Sequence, residues 1–218
     1  MNDQPDRPAP YREPQQARSA ATLARVLRAA EEIASSDGLE EMTITGVAER
    51  AGVSVGTIYR RFEDRDQLIT ALSERMLERR EEYVAEQLRA AEPSLSGVMD
   101  AYAHALLQSF AGSGNLFPEL LRARGAGASD RGARTIIEVH RLLLEAASPY
   151  AHRIRRADPD TALDTVARAI LGACFHNSVR PDPATGETGL RRYADELGDM
   201  AIAYLLTPDR DRDRAALP

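Results

Sequence analysis

Cysteine, lysine and long apolar runs are scarce or missing in this chain of 218 residues. Cys174 is the only cysteine, so an intrachain disulfide is impossible and a secreted disulfide framework is excluded. No apolar run approaches the ~20 residues of a membrane-spanning helix, and the polar N-terminus lacks the apolar core of a signal peptide. All 28 residues in the Lys+Arg count are arginine, as is typical of a GC-rich coding sequence. We therefore expect a cytoplasmic protein with no membrane partner.

The sequence also lacks an excess of positive charge. Its formal net charge is −6, so contact with a nucleic acid requires a local basic patch. The segment 19–72 contains six arginines and nine acidic residues. We therefore expect the acidic side chains of this segment to lie on faces turned away from any nucleic acid.

Motifs for catalysis and metal binding are missing as well. The four histidines show no ligand-like spacing, and Cys174 and His176 lie on different faces of a predicted helix. No Gly-rich phosphate loop, G-x-S-x-G elbow or pair of catalytic carboxylates occurs in a suitable context. No strand pattern appears either. The sequence therefore predicts an all-α protein that is not an enzyme and holds no metal or cofactor.

The most informative segment is 51–62, AGVSVGTIYRRF, which has the signals of a turn followed by a helix. Gly52 can adopt the positive φ of a sharp turn, and Ser54 can cap a helix that begins at Val55. Upstream, TITGVAER predicts a first short helix capped by Thr43 or Thr45. Two short helices joined by a Gly-bearing turn form a helix-turn-helix.

An amphipathic helix precedes this motif. From Ala20 to Ser36 the apolar residues recur at spacings of three and four, and Gly38 ends the helix. Its apolar stripe is predicted to pack on the two short helices, and Ile58 and Phe62 close the core. The other predicted core residues are Leu23, Val26, Leu27, Ala30, Ile33, Ala34, Val47, Ala48 and Ala51.

In a helix-turn-helix the second helix enters the DNA major groove, where its N-terminal residues meet base edges and its flank meets phosphates. Val55 offers only apolar contact, for instance to a thymine methyl, so hydrogen-bond readout falls to Thr45, Thr57 or an arginine. The predicted DNA-binding residues are Thr45, Ser54, Val55, Gly56, Thr57, Tyr59, Arg60 and Arg61.

The run from Ala24 to Leu72 resembles the DNA-binding domain of the tetracycline-repressor (TetR) family of transcriptional regulators. The likeness is carried by Gly38, by Val47-Ala48, by AGVS at 51–54 with GTIY at 56–59, and by Phe62 and Leu68. It implies an N-terminal helix-turn-helix domain joined by a long helix to a helical ligand-binding and dimerisation domain. Arg65 stands where the family usually has a lysine, which implies a phosphate contact and adds Arg65 to the DNA-binding residues.

The resemblance also implies a homodimer that pairs its last two long helices and binds a palindromic operator on double-stranded DNA. These two helices carry small residues, at Gly172, Ala173, Gly198 and Ala201, which would allow close approach between helices. The core of a single domain explains the small residues equally well. A repressor that releases DNA when a small ligand binds is the function implied.

Four segments are predicted along the chain. Residues 1–18 are a proline-rich disordered arm, 19–66 the DNA-binding domain, 67–207 the ligand-binding and dimerisation domain, and 208–218 a flexible tail.

The individual helices can also be predicted. One runs from Glu63-Asp64 to about Ala91, with Leu68, Leu72 and Met76 on one face. Asp158-Pro159 predicts another helix start, since a cap precedes proline at the first helical position. Further helical stripes are Leu95 to Phe110, a short segment Leu116 to Leu121, and Ile136, Ile137, His140, Leu143, Leu144 and Ala147.

Gly125 to Gly132 is predicted as a mobile loop or as a helix start around Asp130.

Between about Ala91 and Arg180 we predict a largely apolar ligand pocket, because methionine and aromatic residues supply an adaptable wall. The alternative is a DNA-binding regulator or architectural protein that answers to a partner protein or to no small ligand. The predicted ligand-binding residues are Met99, Tyr102, Phe110, Phe117, His140 and Phe175.

Overall fold

The computed structural model describes residues 17–111, 128–179 and 186–209, and every regular element in these ranges is a helix. The predicted all-α class is confirmed for this part of the chain. The predicted arm up to residue 16, Phe117 with the segment 116–121, and the tail beyond residue 209 lie outside the described residues. The helices are α1 (Ala17–Ser36), α2 (Ile44–Ala51), α3 (Val55–Tyr59), α4 (Arg65–Ala90), α5 (Leu95–Ala111), α6 (Ala128–Ala147), a 3-10 helix (Ser148–Arg153), α7 (Pro159–Val179) and α8 (Glu187–Leu206).

The chain divides into two compact units whose boundary falls inside α4. Of the described residues, the first unit contains 17–79 and 128–132, and the second contains 80–111, 133–179 and 186–209. The domain limits predicted from the sequence stay a prediction.

The first unit has one apolar core, which α1, α2, α3 and the start of α4 share. The α1 stripe packs with α2, and Ile58 and Phe62 have no exposed surface. Leu68 and Leu72 of α4 are also fully buried in this core. All of the core residues predicted for α1 and α2 are buried.

Local side-chain caps fix both short helices. Thr43, one of the two predicted caps, accepts a bond of 3.1 Å from the Gly46 N–H at the start of α2. Gly52 ends α2 in the left-handed conformation with φ 64°, and the Ser54 hydroxyl accepts a bond of 3.2 Å from the Thr57 N–H. The predicted turn and the predicted cap of α3 are therefore confirmed.

In the second unit α5 packs along α8 and also contacts α7 and the 3-10 helix. Tyr102 and Leu106 of α5, with Ile170 of α7, are among its fully buried side chains. A Cβ built at Gly198 on α8 would clash with the Asp100 carboxylate of α5, so this glycine leaves room for that side chain where α5 and α8 pack. Gly198 thus serves contact within one chain.

The predicted stripe on α6 is wrong in part. Ile136 and Ile137 are 51% and 67% exposed, whereas the buried side chains of this helix recur at every fourth position. Thr135 belongs to that buried face because its hydroxyl donates to the Glu81 carboxylate at 2.6 Å, which offsets the cost of burying a polar group. The buried residues are Thr135, Val139, Leu143 and Ala147. The helix begins at Ala128, as in the second of the two predictions for this segment.

Asp158 caps α7 as predicted. Its carboxylate accepts bonds of 3.1 Å from the backbone N–H groups of Asp160 and Thr161 and one of 2.6 Å from the Thr161 hydroxyl. These bonds stabilise the ionised form and lower the pKa of Asp158.

The turn between α2 and α3 yields a stability prediction. Gly52→Ala should lower the free energy of unfolding by about 1 kcal/mol, since an L side chain is disfavoured at positive φ although space is open there. Gly52→Asn should lose less, because asparagine tolerates this conformation better. Denaturant unfolding measures both; an alanine variant as stable as the parent would contradict the strain argument.

Candidate nucleic-acid interface

The exposed face of α3 is the candidate interface. Ile58 is the only buried residue of this five-residue helix, and it faces the core. Tyr59 is 54% exposed, and Gly56 and Arg60 are also exposed. The preceding cap Ser54 and Thr45 at the start of α2 are exposed as well. The helix therefore presents four of its five positions, at least in part, away from its own core.

Hydroxyl groups on this face are held in fixed positions. The Ser54 and Thr57 hydroxyls lie 2.9 Å apart at hydrogen-bond distance. Arg60 donates from Nη2 to the Thr57 hydroxyl oxygen at 3.2 Å. The guanidinium therefore lies along its own helix, beside the two hydroxyls, and the three groups form one polar cluster. Such donors and acceptors suit both base edges and phosphate oxygens.

Val55 and Gly56, two other residues of the predicted DNA-binding set, differ in their surroundings. Val55 is partly buried and packs against the core of the first unit, so only part of its side chain is exposed. Gly56 is exposed, and a Cβ there would meet only the Ser54 hydroxyl oxygen at an ordinary 3.9 Å. Glycine weakens a helix, and the described part of the chain gives no steric reason for one at this position.

Arg61 and Arg65 are directed into the protein. Arg61 donates to the Ser19 carbonyl at 2.9 Å and to the Ser19 hydroxyl, which ties the end of α3 to the start of α1. Arg65 donates from Nε to the Met42 carbonyl at 2.7 Å and from Nη2 to the Leu39 carbonyl. The DNA-binding roles of both residues stay predictions, and neither inward contact was foreseen from the sequence.

Acidic side chains of the first unit form ion pairs on α1. Glu32 lies 3.7 Å from Arg50, and Glu31 bonds Arg79 at 2.5 Å. Pairing reduces the negative field of these carboxylates, although exposed pairs add little stability.

The predicted ligand-binding residues fall into two groups. Met99, Tyr102 and Phe110 of α5 are buried, with exposures of 4% or less. His140 is half-buried, with Nδ1 3.5 Å from an Asp164 carboxylate oxygen, and Phe175 is 45% exposed. The three α5 residues are thus buried, and Phe175 lies on the surface.

A buried arginine beside the α5 residues was missed. Arg80 is 7% exposed, its guanidinium carbon lies 4.1 Å from the centre of the Phe110 ring, and it donates to the Ser109 carbonyl at 3.4 Å. Burial lowers the pKa of Arg80 to about 10. Burial likewise raises the pKa of Tyr102 and raises that of Cys174 to about 12. In the sequence, Arg80 lies four residues from both Met76 and Val84, which are buried, and this spacing indicates that Arg80 lies on the same buried face of the helix.

Among the described residues no group of three or more His, Cys, Asp or Glu side chains is placed to hold a metal ion. No helix within the described ranges is long and apolar enough to cross a membrane.

Comparison with known proteins identifies the N-terminal region. Residues 26–72 match the family model of bacterial regulatory proteins of the tetR family. No curated protein matches the sequence significantly.

Solved structures share the fold along most of the chain. A TetR-family transcriptional regulator from Streptomyces coelicolor is 25% identical, with a TM-score of 0.55 over 85% of this chain and 99% of that one. A regulatory protein in the tetR family from Rhodococcus RHA1 is 19% identical, with a TM-score of 0.60 over 86% and 98%. SmeT, the repressor of the Stenotrophomonas maltophilia multidrug efflux pump SmeDEF, is 19% identical, with a TM-score of 0.56 over 83% and 88%. SmeT has also been solved in complex with triclosan.

The matched segment 26–72 contains α2, the Gly52 turn and α3, so the family match and the exposed polar face of α3 concern the same residues. Proteins of this family regulate transcription and are not enzymes. Residues 26–72 thus match the DNA-binding domain of the tetR family, and the chain has the fold of solved regulators of that family.

Proposed function

We propose that the protein is a repressor that binds a palindromic operator as a homodimer and releases it when a small, largely apolar molecule occupies the second unit. The observation that carries the DNA-binding part is the exposed face of α3, where a polar cluster adjoins a glycine that the fold does not require. A DNA backbone or base edge that approaches Gly56 closely explains the missing side chain. Such a regulator acts on the chromosome, and we accordingly place it in the cytoplasm.

The predicted contacts divide by chemistry. Thr45, Thr57 and the exposed part of Val55 suit base edges, since hydroxyls bond them and an apolar group contacts a thymine methyl. Ser54, Tyr59 and Arg60 suit phosphates at the flank of the groove. Arg61 and Arg65 already donate to backbone carbonyls within the chain, so a phosphate contact from either would compete with those bonds.

Homodimer formation through α7 and α8 is supported by exposed residues of both helices. A Cβ at Gly172 on α7 would meet nothing within 4 Å, so this glycine is unexplained within the described chain. Phe175, one turn later, and Met200 on α8 are 45% and 46% exposed. A second copy that packs closely at Gly172 would cover these apolar groups. Two copies of a small recognition helix are also what reading an inverted repeat requires.

Control by a ligand is supported by the SmeT comparison and by the α5 core. SmeT is named as an efflux-pump repressor and was solved with triclosan, a small molecule. Here Met99, Tyr102 and Phe110 are buried along α5, and Arg80 lies over the Phe110 ring, so apolar side chains occur with a few polar groups. The near-complete burial of these side chains equally favours the alternative, in which they fill a plain core and a partner protein controls the regulator.

Substitution of Gly56 separates DNA contact from folding. Gly56→Ala should raise the free energy of unfolding by about 0.5–1 kcal/mol, because alanine favours the helix and has room. The same variant should bind operator at least about tenfold more weakly, because the added methyl meets DNA. Denaturant unfolding and fluorescence anisotropy give the two numbers. Unchanged operator affinity would show that nothing approaches this glycine closely.

The dimer and the operator symmetry are tested together. Selection from random DNA by the full chain should recover an inverted repeat, and sedimentation should show a dimer. Gly172→Glu should yield a folded monomer, because the side chain has open space in its own chain but would be buried between two copies. The control Leu197→Glu should lose the fold itself, since Leu197 is 6% exposed. A dimer that survives Gly172→Glu would place the interface elsewhere.

Ligand control predicts reciprocal coupling. A compound that weakens operator binding by some factor must itself bind the operator complex more weakly by that factor. Calorimetric titration of the free protein and of the operator complex measures both affinities. An inducing compound whose affinity is indifferent to DNA would contradict the proposed mechanism and favour control by a protein partner.

A further inference from the structure

We propose that Arg65 is a positioning residue that fastens the turn between α1 and α2 to the first turn of α4. Its guanidinium does not serve as a phosphate contact. The predicted effect of Arg65 on DNA binding rests on the proposed function, whereas its predicted effect on the stability of the free protein does not.

The evidence is a pair of long-range hydrogen bonds. Arg65 Nε donates to the Met42 carbonyl at 2.7 Å, and Nη2 donates to the Leu39 carbonyl. The two acceptors lie 23 and 26 residues away in the chain, in the connection between α1 and α2. A guanidinium presents its N–H groups in a rigid planar fork, so one side chain can hold both carbonyls at once.

The turn that Arg65 holds sets the start of α2. It contains the backbone bond from the Met42 N–H to the Leu39 carbonyl, at a long 3.3 Å, and both side chains are buried. Thr43, the cap of α2, follows Met42 directly. Because α2 leads through the Gly52 turn to α3, an anchored Met42 carbonyl fixes where the helix-turn-helix begins. Arg65 therefore orders α2 and α3 before DNA is met.

The same bonds oppose a role in phosphate binding. Hydrogen bonds from a charged donor are stronger than neutral ones, and Arg65 is half-buried, so turning it toward DNA would break two favourable contacts. Arg60 provides the matched contrast. It is exposed, and among the described residues its guanidinium bonds only the Thr57 hydroxyl on its own helix, so it can turn to a phosphate without breaking a long-range bond.

The test compares Arg65→Ala, Arg65→Lys and the control Arg60→Ala in the full chain. Without DNA, Arg65→Ala should lower the thermal midpoint of unfolding by about 4 °C or more and speed amide exchange in residues 39–43. Arg65→Lys should recover only part of that protection, because an ammonium group lacks the fork. Arg60→Ala should leave both measurements at the parent values.

With operator DNA, the salt dependence of affinity separates the roles. Arg65→Ala should weaken binding with an unchanged slope of log affinity against log salt. Arg60→Ala should flatten that slope by about 0.9, the effect of one lost phosphate contact. Arg65→Lys should also keep the parent slope.

Two results would overturn the inference: parent-like exchange and stability in Arg65→Ala, or a slope flattened as in Arg60→Ala. If the parent protein bound no DNA, the proposed function would fail, while exchange and stability without DNA would still decide the role of Arg65.

Discussion

A helix of five residues cannot hold its own shape in water, and the first unit is arranged around that constraint. Nucleation fixes several residues in return for one hydrogen bond, so α3 needs support from outside itself. The Ser54 cap supplies it at the start, and the fully buried Ile58 supplies it in the middle. Phe62 follows as a second anchor in the same core. Ile58 is the only fully buried side chain of α3, and its other positions remain at least partly exposed for contact with another molecule.

Some glycines are explained by contacts or backbone conformation within the chain, and others are not. Gly52 adopts φ 64°, and a Cβ on Gly97 would lie 2.4 Å from the Glu92 carbonyl oxygen, so both are required within the chain. Gly198 leaves room for the Asp100 side chain. Gly56 and Gly172 have ordinary surroundings and room for a side chain, yet each costs helix stability. These two positions lie on the surfaces proposed for DNA and for a second copy, and they support those proposals independently of the family resemblance.

Local chemistry made the helix starts and the Gly52 turn predictable from the sequence. Thr43, Ser54 and Asp158 each cap a helix through N–H groups two or three residues ahead, and such short-range bonds leave a clear pattern. Arg65 and Thr135 could not be placed in this way, because their partners lie between 23 and 54 residues away. The α6 stripe failed for the same reason. Its apolar pattern favoured Ile136 and Ile137, whereas Thr135 lies on the buried face, where its hydroxyl bonds the distant Glu81.

The long helix α4 gives the two units a shared element. Its 26 residues span about 39 Å, and it places Leu68 and Leu72 in the first core and the buried Val84 and Leu88 in the second unit. A ligand can act through this helix only if it favours one arrangement of α4 over another, since equal affinity for both shifts nothing.

Arg65, the first residue of α4, links a displacement of this helix to α2. A lysine at that position would present a single compact charge on a flexible stem, whereas Arg65 bonds two backbone carbonyls of the turn that precedes α2. A displacement of the first turn of α4 must then either carry the turn at 39–42 with it or break both bonds. This makes the start of α4 and the start of α2 one mechanical element, in which α3 follows through the Gly52 turn. The arginine therefore ties the long helix to the DNA-binding surface through the protein itself, without requiring that DNA be present.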